Sequence, residues 1–359
     1  AADLLEKMGV GVVAPRKSSA RLESSKGFTR KLLQNYGIPG NPDFAVFIQN
    51  DESEKAIRDF MENLDGQFVV KADGLKSGKG VKVVGDHLSG IDDGLHYALE
   101  CLREDGRVVV EEKLVGEEFS AMFLTDGTTL VALPVSQDHK RAFEGDRGPN
   151  TGGMGTYSDE NNSLPFLSEK DLSDARAITE KVLSALQKET GETFRGVMYG
   201  GFIATKNGVK LIEYNARFGD PEAMNVFPIL QTDFVEICRA VVAGKLSELP
   251  IEFEKKATVV KYLVPDGYPN IPAAGEPIRI LGLPDDCQIF FAAVDVDADG
   301  QILTGTSRAL AVVGIADNLT AAERIAEAGV AKIDGKLFHR RDIGTPALVE
   351  KRIRHLQNL

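Results

Sequence analysis

Residues 209–218 narrow what this chain can become more than any other stretch. The turn Lys206-Asn207-Gly208 joins them to a second apolar run, 197–205, and Asn-Gly between two such runs is a strong hairpin signal. Successive side chains of a strand point to opposite faces. Ile212, Tyr214, Ala216 and Phe218 therefore share one face, and Glu213, Asn215 and Arg217 share the other. A carboxylate, a carboxamide and a guanidinium in line suit a hard divalent cation and the phosphates that accompany it. The same pattern also fits an edge strand with a solvated polar face, in which Glu213 and Arg217 form a weak surface pair.

Around this strand the composition leaves room for a large core. The chain has 359 residues, 43% of them hydrophobic, enough for two or three packed domains. A net charge of −12 speaks against a broad nucleic-acid footprint. No apolar run approaches a membrane span, and the start carries no signal-peptide pattern, so neither a membrane nor a nucleic acid is expected as a partner. Cys101, Cys238 and Cys287 lie far apart and show no metal-ligand spacing, which suits buried thiols in a reducing cytoplasm. The oligomeric state is open, with a monomer as the default expectation. The chain opens inside an amphipathic stretch, residues 2–8, which reads as a start in mid-domain with an upstream portion missing.

A helix is expected over 1–7 and a strand over 10–14. Gly9 and Gly11 match a dinucleotide fingerprint on paper, but they follow a helix rather than a strand and read as a turn. Further helices are expected over 24–36, 53–64 with Ser53 as N-cap, 88–103, 169–188, 222–243 and 319–329. Strands over 68–72 and 81–84 flank the loop from Asp73 to Gly80, which contains Lys76, Gly78 and Lys79. Its tip offers backbone N–H groups and ammonium charge to a phosphate, or else is an exposed hairpin with solubilising lysines. It is not a Walker A loop, since the required Gly spacing and the following Ser/Thr are missing. The buried strand 108–114 ends in Glu111, Glu112, Lys113 and Leu114. Residues 117–124 and 129–136 read as a strand pair through Asp126-Gly127. Residues 137–157 are long, irregular and charged, and such a loop is usually functional or disordered. Asp138, His139, Lys140 and Arg141 begin where a strand ends, and α/β proteins often place ligands there. From residue 257 the texture is β-rich, with strands near 259–264, 278–281, 289–294 and 309–314, read as a separate C-terminal domain.

Three sets of residues converge on a nucleotide: Lys71 with the loop 74–80, the strand end 111–114 beside Glu117 and Glu118, and the Glu213 face. Their order resembles the ATP-grasp superfamily, and within it the phosphoribosylamine–glycine ligase family. The resemblance is carried by Val70-Lys71-Ala72-Asp73-Gly74-Leu75 with Gly78-Lys79-Gly80-Val81. It continues in Gln137-Asp138-His139-Lys140-Arg141 with Pro149-Asn150-Thr151-Gly152-Gly153-Met154-Gly155, and above all in Asn215-Ala216-Arg217-Phe218-Gly219-Asp220-Pro221-Glu222. It implies an α+β ATP-grasp fold with a mobile lid subdomain at about residues 65–125, within an ATP-grasp domain over 23–250. A β-rich C-terminal domain over 256–359 would follow. Residues 1–22 would be the remnant of a largely missing N-terminal domain and its linker.

The resemblance implies ATP-dependent joining of glycine to 5-phosphoribosylamine through glycyl phosphate. Glu213 and Asn215 would hold Mg²⁺ or Mn²⁺. Lys26, Lys71, Gly78, Lys79 and Gly80 would meet the ATP phosphates, and Glu111, Lys113 and Leu114 the adenine, with Glu117 or Glu118 on the ribose. Arg217 would stabilise the transferring phosphoryl group. Asp220, with Asp138, His139, Lys140 and Gly153, would face the glycine and amine substrates. One departure lies in the C-terminal part, where the family's Thr-Gly-Gly-Arg turn is replaced by Thr304-Gly305-Thr306-Ser307-Arg308, which argues against giving Arg308 a role in substrate binding. Two alternatives remain: another carboxylate–amine ligase of the superfamily, or a nucleotide-binding module without turnover.

Overall fold

The computed structural model describes residues 1–76 and 80–359; Gly78 and Lys79 of the expected phosphate loop lie outside the described residues. Helices α1 (Ala2–Lys7), α2 (Arg21–Ser24) and α3 (Lys26–Asn35) open the chain. The single helix expected over 24–36 restarts at Ser25, whose backbone is extended and whose hydroxyl accepts from Phe28 N–H as an N-cap. Residues 10–14, expected as a strand, join no ladder among the described residues.

Strand β1 (Phe44–Ile48), helix α4 (Ser53–Asn63), β2 (Phe68–Ala72), β3 (Val81–Val83), α5 (Ile91–Asp105) and β4 (Arg107–Glu112) form the next unit. Its strands pair antiparallel in the order β1-β4-β2-β3. The two helices close a hydrophobic cluster of its own, including Ile57, Met61, Phe68, Val70, Ala98 and Val108. The lid expected at about 65–125 thus differs at both ends from this sheet, which begins with β1 and stops at Glu112. Ser53 is the first residue of α4 rather than its cap. Its hydroxyl instead ties the preceding turn, accepting from Asn50 N–H and donating to the Ile48 carbonyl, both at 2.9 Å.

The middle of the chain supplies β5 (Glu117–Thr125), β6 (Leu130–Ala132), β7 (Gln137–Asp138), β8 (Arg141–Phe143), β9 (Arg147–Asn150), β10 (Gly155–Ser158), α6 (Glu169–Thr190), β11 (Gly196–Thr205), β12 (Gly208–Asn215), α7 (Ala223–Val226) and α8 (Phe234–Ala243). A central antiparallel sheet runs β12-β11-β5-β6. Helices α3 and α6 cover one face, where Phe119, Phe202 and Leu211 meet Leu33, Ile178 and Val182. Helix α8 covers the other, where Met122 and Val197 meet Ile237 and Val241. A full capping box between Ser168 and Asp171 starts α6, and Gly191 in the left-handed region ends it. The helix expected over 222–243 is broken: Pro228 falls in a 3₁₀ turn, and Asp233 restarts the chain as the N-cap of α8.

The remaining elements are β13 (Ala257–Pro265), β14 (Pro277–Ile280), β15 (Cys287–Phe291), β16 (Val294–Val296), β17 (Ile302–Thr304), β18 (Leu310–Ala316), α9 (Leu319–Val330), β19 (Ile333–Asp334), β20 (Leu337–Phe338) and α10 (Pro346–Gln357). The larger sheet runs β15-β18-β13-β10-β7, with β20 on the far end of β13; a smaller one runs β16-β17-β14-β19. Two strands of the larger sheet, β7 and β10, come from the segment expected to be irregular. The region expected as a separate C-terminal domain therefore shares a sheet with it. Helix α10, absent from the expectations, is capped by Thr345 with Pro at its first turn. No helix of the described residues is long and apolar enough to cross a membrane.

Helix α9 lies directly on β13 and β18, and Gly314 sets how close it comes. A Cβ at that position would stand 2.1 Å from the Ala322 carbonyl oxygen and 2.5 Å from Ala326 N. Gly314→Ala is expected to cost about 1–3 kcal/mol by overpacking, read as a lower midpoint in thermal unfolding followed by circular dichroism. An unchanged midpoint would contradict this packing.

Candidate active site

The lid sheet, helix α3 and the central sheet meet at three buried charges. Glu111 on β4 accepts from Arg30 on α3 at 2.6 and 2.8 Å, and Lys71 Nζ on β2 stands 2.7 Å from its second oxygen. The three side chains are 2%, 5% and 3% exposed for Arg30, Lys71 and Glu111. Arg30 also donates to the carbonyls of Leu211 and Ile212, and Lys71 donates to that of Ile212 at 3.0 Å. Burial pushes the Glu111 carboxyl up, but Arg30 and Lys71 outweigh it and hold it down at about 2. Burial pulls Lys71 below its ordinary value, with Glu111 opposing. The Glu111 carboxylate is therefore committed, and any contact it makes with adenine falls to its backbone. An ammonium has three donors, so Lys71 keeps one beyond those given to Glu111 and Ile212.

The next residue along β12 is Glu213, half-buried and opposite Gly201 on β11. Burial pushes its carboxyl up, but Lys140, Lys71 and Lys26 together hold it below its ordinary value. Lys26, in the first turn of α3, donates to the Gly74 carbonyl at 3.2 Å. That turn is held by Asp73, which accepts from Gly27 N–H at 3.0 Å and Ser25 Oγ at 3.1 Å. Two residues beyond Glu213 stands Asn215, the last of the strand. An ionised carboxylate and a carboxamide on one face fit a divalent cation with oxygen ligands. Among the described residues no group of three or more His, Cys, Asp or Glu could hold a metal by itself. A cation here would draw the rest of its shell from phosphate oxygens and water, as Mg²⁺ sites at nucleotides do.

Arg217 departs from the expected alternation, because β12 stops at Asn215. The Ala216 N–H donates to Glu23 Oε2 at 2.9 Å instead of to a neighbouring strand. The Arg217 side chain, 57% exposed, then lies 3.2 Å from the other Glu23 oxygen.

The start of β5 and the segment from residue 137 sort their side chains by parity. Glu117, Gln137 and His139 point away from the cleft. Glu117 accepts from His355 of α10 at 2.6 Å and from Gln137 at 3.2 Å. His139 is buried, donates from Nδ1 to the Gly155 carbonyl at 3.2 Å, and is held neutral, down at about 3, by burial and then by Arg340 and Arg352. In this structure Glu117, expected with Glu118 at the ribose, and His139, expected at the substrates, are both engaged at the back of the site. Glu118, Asp138 and Lys140 face the cleft. Lys140 lies 3.6 Å from Glu118, and that carboxylate, then Glu213, Asp138 and Glu222, raise its basicity. Burial and the Glu222 carboxylate raise Asp138 well above the ordinary range. Of the expected adenine contacts, Lys113 reaches back to the lid and donates to the Val84 carbonyl at 2.8 Å, and Leu114 is half-buried in the connection to β5. Gly80 closes the β2–β3 hairpin, its carbonyl accepting from Ala72 N–H.

The far wall is built around residues 220–222. Glu222 is buried and accepts from Ser120 Oγ and Tyr199 Oη at 2.9 and 2.8 Å. Asp220 accepts from Tyr262 Oη at 2.9 Å and Arg308 Nη2 at 2.7 Å. Gly153 has φ +109°, and a Cβ there would meet Asp138 Oδ1 at 2.5 Å and Pro221 at 2.6 Å. Only glycine fits between them.

The family described as phosphoribosylglycinamide synthetase, ATP-grasp (A) domain, matches residues 24–223, and its C domain matches residues 258–346. A phosphoribosylamine–glycine ligase of Methanosarcina barkeri is 48% identical, over 100% of this chain and 81% of that protein. This chain belongs to the phosphoribosylamine–glycine ligase family. A second member, from Methanothermobacter thermautotrophicus, is 46% identical over 99% of this chain and 82% of its own length. The crystal structure of the ligase from Thermotoga maritima matches with a TM-score of 0.81 and 31% identity, covering 92% of this chain and 81% of that one. A biotin carboxylase from Campylobacter jejuni shares the fold alone, at TM-score 0.72 and 14% identity. The ATP-grasp fold and the family expected from the motifs are therefore both established.

The family's motifs led to Glu213, Asn215, Lys71, Asp138 and Asp220 and included Glu222, whereas Arg30, Glu23 and Tyr262 carried no local signal. All three act through partners distant in the chain, as Glu222 and Arg308 also do. Arg308, set aside because its turn departs from the family pattern, nevertheless reaches Asp220.

The depressed Glu111 makes stability depend on pH. Its folded value of about 2 lies below the ordinary 4.5, so its contribution is complete above pH 4.5 and is lost as pH falls towards 2. Glu111→Gln is expected to lower unfolding free energy by about 3 kcal/mol at pH 7, with a smaller difference from wild type near pH 3.5. Urea unfolding at both pH values measures this, and a pH-independent difference would refute it.

Proposed function

We infer that this chain joins the amine of 5-phosphoribosylamine to the carboxyl group of glycine with ATP, giving glycinamide ribonucleotide, ADP and phosphate. The membership of both matched regions in one ligase family carries this reading. The ionised Glu213 beside Asn215, under three ammonium groups, supplies the chemistry it requires.

A glycine carboxylate oxygen attacks the γ-phosphorus, the bond to the bridging oxygen of ADP breaks, and glycyl phosphate forms. The amine nitrogen then attacks the acyl carbon, the bond to phosphate breaks, and the nitrogen gives up a proton. Neither step needs a protein nucleophile; both need positioning and charge. Glu213 and Asn215 would hold Mg²⁺ or Mn²⁺, which when bound supplies positive charge to the phosphates. Lys71 and Lys26 place ammonium groups on the same side, and Glu118, which faces the cleft, is assigned to the ribose. Lys140 adds a firmly charged ammonium between the metal face and the far wall. Asp138, made more basic by burial and by Glu222, is assigned the proton that the amine loses. Arg217 is assigned to the transferring phosphoryl group, for which it must exchange Glu23 for the ligand. Asp220 and the Gly153 turn are assigned to the glycine and amine side. The lid sheet above Lys71 keeps water from the acyl phosphate. The reaction is placed in the cytoplasm.

The deciding experiment measures ADP release with ATP, glycine and 5-phosphoribosylamine, each omitted in turn. Release should require both glycine and the amine; release indifferent to them would refute the reading. Glu213→Gln is expected to lower turnover about 10²–10³-fold while leaving the thermal midpoint in place. Chelation of divalent cations should abolish turnover, and added Mg²⁺ or Mn²⁺ should restore it.

A further inference from the structure

We propose that Arg308 is a positioning residue that sets the glycine side of the cleft from the C-terminal sheet; the proposal rests on the assignment of Asp220, Asp138 and the Gly153 turn made above. Arg308 lies just before β18, far in sequence from every group it touches. Its Nη1 donates to the carbonyls of Gly152 at 2.8 Å, Gly153 at 3.0 Å and Asp220 at 3.3 Å. Its Nη2 donates to Asp220 Oδ2 at 2.7 Å. The guanidinium lies 4.4 Å over the Tyr262 ring, and Tyr262 Oη holds the other Asp220 oxygen at 2.9 Å. The Arg308 side chain is 13% exposed, whereas its partner Asp220 is half exposed and stays open to the cleft.

The contacts make a clamp with two jaws. A Cβ on Gly152 would stand 3.0 Å from the Arg308 guanidinium carbon, and one on Gly153 would stand 2.5 Å from Asp138 Oδ1. The Gly152-Gly153 turn is thus pressed between Arg308 on one side and Asp138 with Pro221 on the other. Loosening Arg308 frees the turn, and with the turn the Asp138 carboxylate and the backbone leading into Asp220. The nucleotide side is untouched, since Lys71 and Glu111 are held by a different set of bonds. A planar fork that reaches four acceptors and stacks on an aromatic ring has no substitute in the point charge of lysine.

The test uses Arg308→Lys and Tyr262→Phe. Glycine is titrated calorimetrically into protein saturated with a non-hydrolysable ATP analogue and Mg²⁺, and the analogue is titrated separately. Arg308→Lys is expected to weaken glycine about ten- to hundredfold, the loss of charge-assisted hydrogen bonds, while the analogue changes less than about threefold. Tyr262→Phe, which keeps the guanidinium, should shift glycine in the same direction by less. Unchanged glycine affinity in Arg308→Lys overturns the proposal, as does an equal loss for both ligands with a lowered thermal midpoint, which marks a merely structural residue. If the wild type binds the analogue but no glycine, the assignment of the glycine side fails first and the proposal falls with it.

Discussion

Two cations share one carboxylate where α3, the lid sheet and β12 meet, and the placement of the nucleotide side follows from that arrangement. Removing Arg30, Lys71 and Glu111 from water carries a large desolvation penalty, recovered only when the geometry is close and the remaining donors find partners. Here the third Lys71 donor is left over, and the other surplus donors go to neighbouring acceptors, chiefly the carbonyls of Leu211 and Ile212. Those are the last backbone groups before Glu213, so the bonds that satisfy the buried charges also set where the Glu213 face begins. A lid docked by apolar contacts alone would leave that register free to slide. Three charges with directional partners do not.

The far side of the cleft is organised differently. The wall around Lys71 depends on ion pairs, whereas the wall assigned to glycine and the amine depends on backbone geometry enforced by a sheet. Strands β7 and β10 carry Asp138 and end the Gly152-Gly153 turn, and both are tied by ladder bonds into the sheet of β13 and β18. Behind it, Arg340 and Arg352 converge on Asp146, and Arg340 also grips Asp342. Asp146 is held down at about 2 against its burial, by Arg352 first and then by neighbouring positive groups. The charges of this rear cluster face one another rather than the ligand, which is why His139, lodged among them, is structural.

Features set by local periodicity could be read from the chain. The alternation that puts Glu213 and Asn215 on one face needs only adjacent residues, and the Asn207-Gly208 turn placed the hairpin correctly. Where a feature depended on a partner, reading failed in a physical way. Arg217 lost its place because Glu23 captured the Ala216 N–H and ended the strand early. Glu117 and Glu118 could not be separated until Gln137 and His355 were known to lie on one side. The segment 137–157 looked irregular because its strands are only two to four residues long, and one of them, β10, takes a partner beyond residue 256. Ser25 broke a helix that periodicity alone would have continued. Arg308 was discounted on the wording of its turn, although its side chain still reaches the acceptors that the turn exists to serve.

The sharing of one sheet between β10 and β13 has a consequence for how the polypeptide matures. Thr156 pairs with Val260, and Gly155 with Lys261, so the edge that shapes the glycine side has no partner until a much later part of the chain has been synthesised. During that interval the lid and the central hairpins, whose contacts are more local, are able to form first, since non-local pairings carry the greater loop-closure cost. The bonds from Arg30 and Lys71 to residues 211 and 212 span still longer loops, so they too wait on distant chain. The pairing beside the Gly153 turn is completed only after more than a hundred further residues have been added to the chain.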